Sequence, residues 1–168
     1  MLKIGCDICQ VGALQQMLKE EPAAVERIFN PEERQYAQSQ GRPAEHLAGI
    51  FAAKEALAKA VKEPALLGKY YREVTILHEE NGTPFLRFSG RLSELFLSGG
   101  ITVADLSISH DADYAVAAVV VERRQLRCDR CFVSLGGLEE QRAADGLIQI
   151  VNKEGAVGYR CPACFRGW

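Results

Sequence analysis

The chain has 168 residues, of which 48% are hydrophobic and 25% charged, with a net charge of −2. That length supplies one full core plus a small appendage, and the balance is that of a globular rather than a disordered protein. The weak negative charge gives no field for nucleic acid, no apolar run approaches the ~20 residues that span a bilayer, and Met1-Leu2-Lys3-Ile4-Gly5 does not begin an export signal, so a cytoplasmic address is expected, with no membrane and no nucleic acid as partner.

Residues 2–8 alternate, with Leu2, Ile4, Cys6 and Ile8 on one side and Lys3, Gly5 and Asp7 on the other, which is the period of a strand. Gly5 leaves room for a close approach on the side that carries Asp7. Asp7 itself reads equally well as a strand-end residue that caps a following helix. Residues 10–40 hold short helical stretches, with Pro22 and Pro31 in first turns. Residues 44–62 read as a long Ala-rich helix bounded by Pro43 and Pro64. At 100° per residue, Leu47, Ile50, Phe51, Leu57, Ala58 and Val61 share one face of it. Glu55 and Lys59 lie together on its flank, at the plainest a surface ion pair of about 0.2–0.5 kcal/mol. Lys54 falls near the middle of the apolar face, where an ammonium must snorkel out or meet an anion.

Val74–Leu77 and Phe85–Phe88 form a hairpin about Asn81-Gly82, and a short helix covers Leu92–Leu97. Strands Val103–Ser109 and Tyr114–Val121 are joined by His110-Asp111-Ala112-Asp113. The run Ala115–Val121 is apolar on both faces and is expected in the centre of a sheet. Two hairpins and several helices predict an α+β domain, an antiparallel sheet packed with helices. His110 follows its strand directly and is either structural or functional. Two carboxylates (Asp7, Glu55), two lysines (Lys54, Lys59) and a histidine suit a phosphate-handling site, with a hard cation on the carboxylates and lysine against remaining phosphate charge.

Composition changes near residue 124. The first 124 residues carry 14 Lys/Arg against 17 Asp/Glu, and the last 44 carry 6 against 5. A boundary at Arg123-Arg124-Gln125 divides the chain into 1–124 and 125–168.

Several stretches of 1–124 resemble the holo-acyl-carrier-protein synthases, a family of 4′-phosphopantetheinyl transferases. Gly5-Cys6-Asp7-Ile8 is similar to the family's first strand. Phe51-Ala52-Ala53-Lys54-Glu55-Ala56-Leu57-Ala58-Lys59-Ala60 matches its helix motif in full. Asn81-Gly82-Thr83-Pro84 resembles its hairpin turn, and Leu106-Ser107-Ile108-Ser109-His110, followed by Asp113-Tyr114-Ala115-Val116-Ala117, its closing strands. The resemblance implies the 4′-phosphopantetheinyl transferase fold and the transfer of phosphopantetheine from coenzyme A, the substrate, to a serine of an apo acyl carrier protein, releasing adenosine 3′,5′-bisphosphate. It implies that Asp7 and Glu55 hold Mg2+ on the pyrophosphate, that Lys59 meets the transferred phosphate, and that Arg42, His110 and the turn from Asn81 to Pro84 contact the nucleotide end. It further implies a homotrimer with sites shared between subunits.

The chain departs from the family at three places. Ile50 stands where arginine is common, Val61-Lys62-Glu63-Pro64 replaces a Gly-Thr-Gly segment, and Ala13, near Gln15 and Gln16, replaces an arginine that docks the carrier. These departures keep open a second reading, a catalytically weak regulatory module that binds coenzyme A or the carrier.

Cys128-x-x-Cys131 and Cys161-x-x-Cys164 are two knuckles whose four thiolates suit tetrahedral structural Zn2+, which resembles a zinc ribbon. So small a piece would draw much of its folding energy from the metal. Its arginines either dock the acidic carrier or simply belong to a structural cap. Cys6 and Cys9, at an odd offset in a strand, face opposite ways and are poor co-ligands. Cys6 is expected in the core and Cys9 at the entry to a helix.

Overall fold

The computed structural model describes residues 1–62, 68–98, 100–123, 148–151 and 157–160. Strand β1 (Leu2–Gln10) is followed by helices α1 (Val11–Glu20), α2 (Pro22–Ile28), α3 (Pro31–Ser39) and α4 (Pro43–Val61). A single 3-10 turn (Tyr71–Glu73) leads into β2 (Val74–His78) and β3 (Pro84–Phe88). Helix α5 (Gly90–Ser98) and strands β4 (Ile101–Asp111) and β5 (Tyr114–Arg123) come next. A further hairpin, β6 (Ile148–Val151) with β7 (Val157–Arg160), lies in sequence between the two cysteine pairs. The four cysteines themselves, the proposed boundary at residue 124 and the Glu63-Pro64 helix stop fall outside the described residues.

Pro22, Pro31 and Pro43 each open a helix, where a fixed φ helps and a missing N–H costs nothing. The Asn81-Gly82 turn closes β2 onto β3, with Gly82 at φ 86° and the Thr83 amide donating to Asn81 Oδ1 at 2.8 Å. The main sheet is antiparallel in the order β1-β5-β4, so the apolar run of β5 does lie in the centre. The hairpin β2–β3 forms a second, two-stranded sheet rather than extending the first.

One face of the main sheet packs on α4. Ala115, Ala117, Val119 and Val121 of β5 are buried there, against a helix whose Ala48, Ala52, Ala53, Ala56 and Ala60 are buried as well. The single apolar face drawn from the larger side chains therefore understates how enclosed α4 is. Its alanines allow close approach to the sheet, while its bulkier residues fill the remaining sides.

The strand reading of β1 has the right period, but the core lies on the opposite side from its larger apolar residues. Gly5 and Cys9 point into the protein and Asp7 is half-buried beside them, whereas Leu2, Ile4 and Ile8 are 71%, 72% and 62% exposed. Cys6 is exposed rather than in the core, because burial of β1 is set by contact with α4, while Cys9 is buried and stands two residues before α1 begins. Gly5 is required by that contact. A Cβ there would lie 2.0 Å from the Ala56 carbonyl oxygen and 2.5 Å from the Ala60 nitrogen.

Lys54 meets an anion rather than snorkelling. It is fully buried, and its Nζ donates to Glu33 Oε2 at 2.8 Å and to the carbonyls of Ile28 and Tyr71 at 2.7 and 2.9 Å. Glu33, also fully buried, accepts from the amides of Asn30 at 2.7 Å and Ile76 at 2.8 Å. Burial raises the Glu33 carboxyl and lowers the Lys54 ammonium from their ordinary values, and the attraction between them opposes both shifts. The pair ties α4 to α3, β2 and the 3-10 turn. Among the described residues no helix is long and apolar enough to cross a membrane.

Candidate active site

Two groups of side chains gather where α4 meets the main sheet. The first forms because Gly5 lets β1 lie directly on the helix backbone. Asp7, two residues along the same strand face, then reaches Lys59, and Nζ donates to Asp7 Oδ1 at 2.6 Å. Glu55 lies one helical turn before Lys59. Its carboxyl is raised above the usual range, first by burial and next by the charge of Asp7, with Lys59 pulling the other way. Lys59 is raised, chiefly by its hydrogen bond to Asp7. Glu55 and Lys59 are therefore not the isolated surface pair that their spacing alone suggests; both answer to Asp7.

Two neighbouring carboxylates with one lysine as internal counter-ion attract a cation. Their donors are hard oxygens, the set that Mg2+ takes when substrate phosphates and water complete its shell. Among the described residues no group of three or more His, Cys, Asp or Glu side chains is placed to hold a metal ion, so Asp7 and Glu55 offer at most part of a cation's shell.

The second group lies at the start of α4. Arg42 Nη1 donates to Glu45 Oε1 at 2.9 Å, and Glu45 Oε2 lies 3.3 Å from His110 Nδ1. Glu45 is buried and joins the two residues that sequence reasoning singled out separately. The three line a cavity of about 280 Å³ together with His46, Asp111 and Ala112. A larger groove of about 660 Å³ shares Arg42 and Glu45 and runs along the apolar Val11, Leu14 and Leu18 of α1.

The structure thus joins Asp7, Glu55 and Lys59, and separately Arg42 and His110. Neither cavity is lined by Asp7, Glu55 or Lys59, and neither is lined by Asn81 or Pro84. Ile50 is 1% exposed and belongs to the core, while Ala13, Gln15 and Gln16 lie on the exposed side of α1. Sequence reasoning missed Glu45 and Glu33. Both left a signal: Glu45 follows Arg42 by three residues in a first helical turn, and Glu33 stands at the third helical position after Asn30 and Pro31, as in a capping box.

Residues 3–119 match the family profile of the 4′-phosphopantetheinyl transferase superfamily. A holo-[acyl-carrier-protein] synthase of Trichlorobacter lovleyi is 38% identical over 123 residues, which are 73% of this chain and 98% of that protein. One from Caldanaerobacter subterraneus is 34% identical over 117 residues, 70% of this chain and 91% of the relative. Among solved structures, the ACPS–CoA complex of Chronobacterium ammoniagenes superposes with a TM-score of 0.63 at 31% identity, covering 74% of this chain and 98% of that one. The Helicobacter pylori holo-[acyl-carrier-protein] synthase in complex with coenzyme A gives a TM-score of 0.61 at 29% identity, covering 71% and 99%. These relatives are matched nearly end to end, while about a quarter of this chain extends beyond each match.

Proposed function

The chain belongs to the 4′-phosphopantetheinyl transferase superfamily, and from that premise we infer that it is a holo-[acyl-carrier-protein] synthase, which moves the phosphopantetheine arm of coenzyme A to a serine of an apo acyl carrier protein. The observation that carries the reading is the meeting of Asp7 with Glu55 and Lys59, one from a strand and two from a helix, on a chain that matches proteins of this activity almost end to end. In the reaction the serine oxygen bonds to the β-phosphorus as the bond from that phosphorus to its bridging oxygen breaks. The hydroxyl proton is released, and adenosine 3′,5′-bisphosphate leaves.

Such a transfer depends mainly on positioning and on charge neutralisation. Asp7 and Glu55 are the residues that would hold Mg2+, which when bound draws charge from the pyrophosphate. Lys59, more than half exposed, swings from Asp7 to the transferred phosphate. Arg42 and His110, fixed by the buried Glu45, receive the nucleotide end, and the exposed turn from Asn81 to Pro84 closes over it.

The complete site belongs to a homotrimer. Two observations support this. The open face of the main sheet is apolar, with Leu2, Ile4 and Ile8 beside Val116 and Val120, a patch of the kind that marks association. Neither of the two cavities described above joins the carboxylate pair to the nucleotide rim. Cys128, Cys131, Cys161 and Cys164 hold structural zinc in a ribbon-like unit at 125–168, supported by the two knuckles and by the hairpin β6–β7 between them in sequence. Metal analysis of the purified protein tests it, with one zinc per chain expected and none refuting it. The reaction belongs in the cytoplasm.

The deciding experiment incubates the protein with coenzyme A, Mg2+ and an apo carrier, then weighs the carrier. Gain of one phosphopantetheine is expected. No gain with any of several carriers, from folded protein, refutes the reading. Glu55→Gln and chelation by EDTA should each abolish the gain and leave the fold intact.

A further inference from the structure

The chain has three histidines, and a single tyrosine links them. His110 on β4 meets His46 on α4 edge to face, with centroids 5.2 Å apart at 70°. His46 meets Tyr36 on α3 in the same way, at 5.5 Å and 89°. Tyr36 lies flat on His78 at the end of β2, at 3.8 Å and 10°. This row of four rings has a definite beginning and end. His110 and His46 both line the cavity at the nucleotide rim. His78 is the last residue of β2, stands opposite Pro84 in the hairpin, and adjoins the turn of Glu79–Thr83.

We propose that His46 and Tyr36 are positioning residues for the nucleotide end of coenzyme A, holding the His110 rim and the turn from Asn81 to Pro84 in fixed relation through this row of rings. The proposal rests on the reading that these two arms receive the nucleotide.

Three further observations fit it. The two arms belong to different sheets, and neither of the two cavities described above is lined by the turn, so their spacing is set through side chains between them. Asn81, Gly82 and Thr83 are exposed, and the turn's hydrogen bonds at this end are internal to it. Among the described residues His78 Nδ1 is buried without a hydrogen-bond partner, and the contact its ring does make is the flat stack on Tyr36 at 3.8 Å. Burial also lowers the pKa of His46 and His78, which leaves uncharged rings in contact at neutral pH. Fixing the spacing before the nucleotide arrives removes an ordering cost from binding, so the row acts on affinity for coenzyme A rather than on the chemical step.

The test measures KM for coenzyme A, KM for the carrier and kcat, with Kd for coenzyme A by calorimetry, in wild type and in His46→Ala, His78→Ala and the double variant. His46 and His78 are separated by Tyr36, so independent roles would make their effects multiply. A shared row predicts that each alanine weakens coenzyme A binding by about five-fold, the worth of one ring contact, and that the double variant is little worse than the weaker single. kcat and KM for the carrier should stay within about two-fold, since the row touches neither. His78→Phe, which keeps a ring at a position that lines neither cavity, should bind like wild type. Leucine at both positions repeats the comparison with volume retained, so a folding defect in the alanine variants does not decide the result. Unchanged affinity in the leucine and alanine variants, multiplying losses, or a His78→Phe variant as impaired as His78→Ala would each overturn the row. A wild-type protein that transfers nothing from coenzyme A instead overturns the transferase reading, and this proposal with it.

Discussion

Removing the ammonium of Lys54 should be among the most damaging single changes the fold can suffer. All three Nζ protons are in use, on Glu33, Ile28 and Tyr71, and both members of the pair are fully buried. Lys54→Met keeps the stem's volume but leaves the Glu33 carboxylate with two amide donors and no counter-charge, and removes one donor from each of the Ile28 and Tyr71 carbonyls, the latter keeping the Val74 amide. Breaking a buried pair from one side costs about 3–5 kcal/mol. Against a total stability of about 5–15 kcal/mol, that is a large share, equivalent to a fall in Tm of about 6–20 °C for a chain of this size. Urea unfolding followed by circular dichroism, at one fixed protein concentration, measures it. Adding Glu33→Gln to Lys54→Met removes the stranded charge, so the double loss should fall short of the summed single losses by about 1–3 kcal/mol. A Lys54→Met loss under about 1 kcal/mol, or strictly additive losses, would refute the reasoning.

Gly5→Ala should lose about 1–3 kcal/mol or more in the same assay, because the new methyl meets the backbone of Ala56 and Ala60 rather than a movable side chain. It should also lower kcat by separating Asp7 from Lys59, and wild-type stability with wild-type turnover would contradict the close contact. On the proposed trimer, Ile4→Glu or Ile8→Glu on the open sheet face should shift sedimentation towards the monomer and reduce turnover, whereas unchanged sedimentation would exclude that face as the interface. Stability should also carry a histidine component. His46 and His78 titrate below the ordinary value of about 6.5 when folded, so between that value and their lowered ones the unfolded chain binds more protons. This component is fully present above pH 6.5, is lost as pH falls below it, and levels off under the folded values. The drop in Tm from pH 7.5 to 5.5 should therefore be larger in wild type than in the double variant His46→Phe/His78→Phe. Equal drops would remove the histidines from the account, since Glu33 and Glu55, raised in both proteins, cancel in the comparison.

What the sequence displayed best was local. Prolines at helix starts, Asn81-Gly82 at a turn and the two-sided apolar run of β5 each act through their own backbone or immediate neighbours, and each stands where expected. What it hid was which side of an element faces inward. The apolar side of β1 looked like a core side and is exposed, because the alternation of a strand reports two faces without saying what covers each. Similarly, the position of Lys54 on an apolar face was legible, but its partner Glu33 was not, since it comes from α3 and is brought near only by packing. At the candidate site, Asp7, Glu55 and Lys59 could be named from motif and spacing. Glu45, which links Arg42 to His110, could not, because the link joins a helix start to a strand end.

The central place of β5 also sets a timetable. β1 is a nine-residue strand whose partner in the sheet is β5, and Asp7 stands opposite Ala117, about 110 residues later. At about 5–20 residues per second of synthesis, the first strand waits roughly 5–20 s for its neighbour. Pairings so distant in sequence are also the slow ones to form from an unfolded chain. During that interval Leu2, Ile4 and Ile8 sit on an unpaired strand, one that the β5 of another copy could accept only while its own β1 edge is still open. Newly made chains emerging close together are thus positioned to exchange first strands. The glycine at position 5, which admits only a tightly seated helix beside it, favours the strand that arrives with its own α4 already attached.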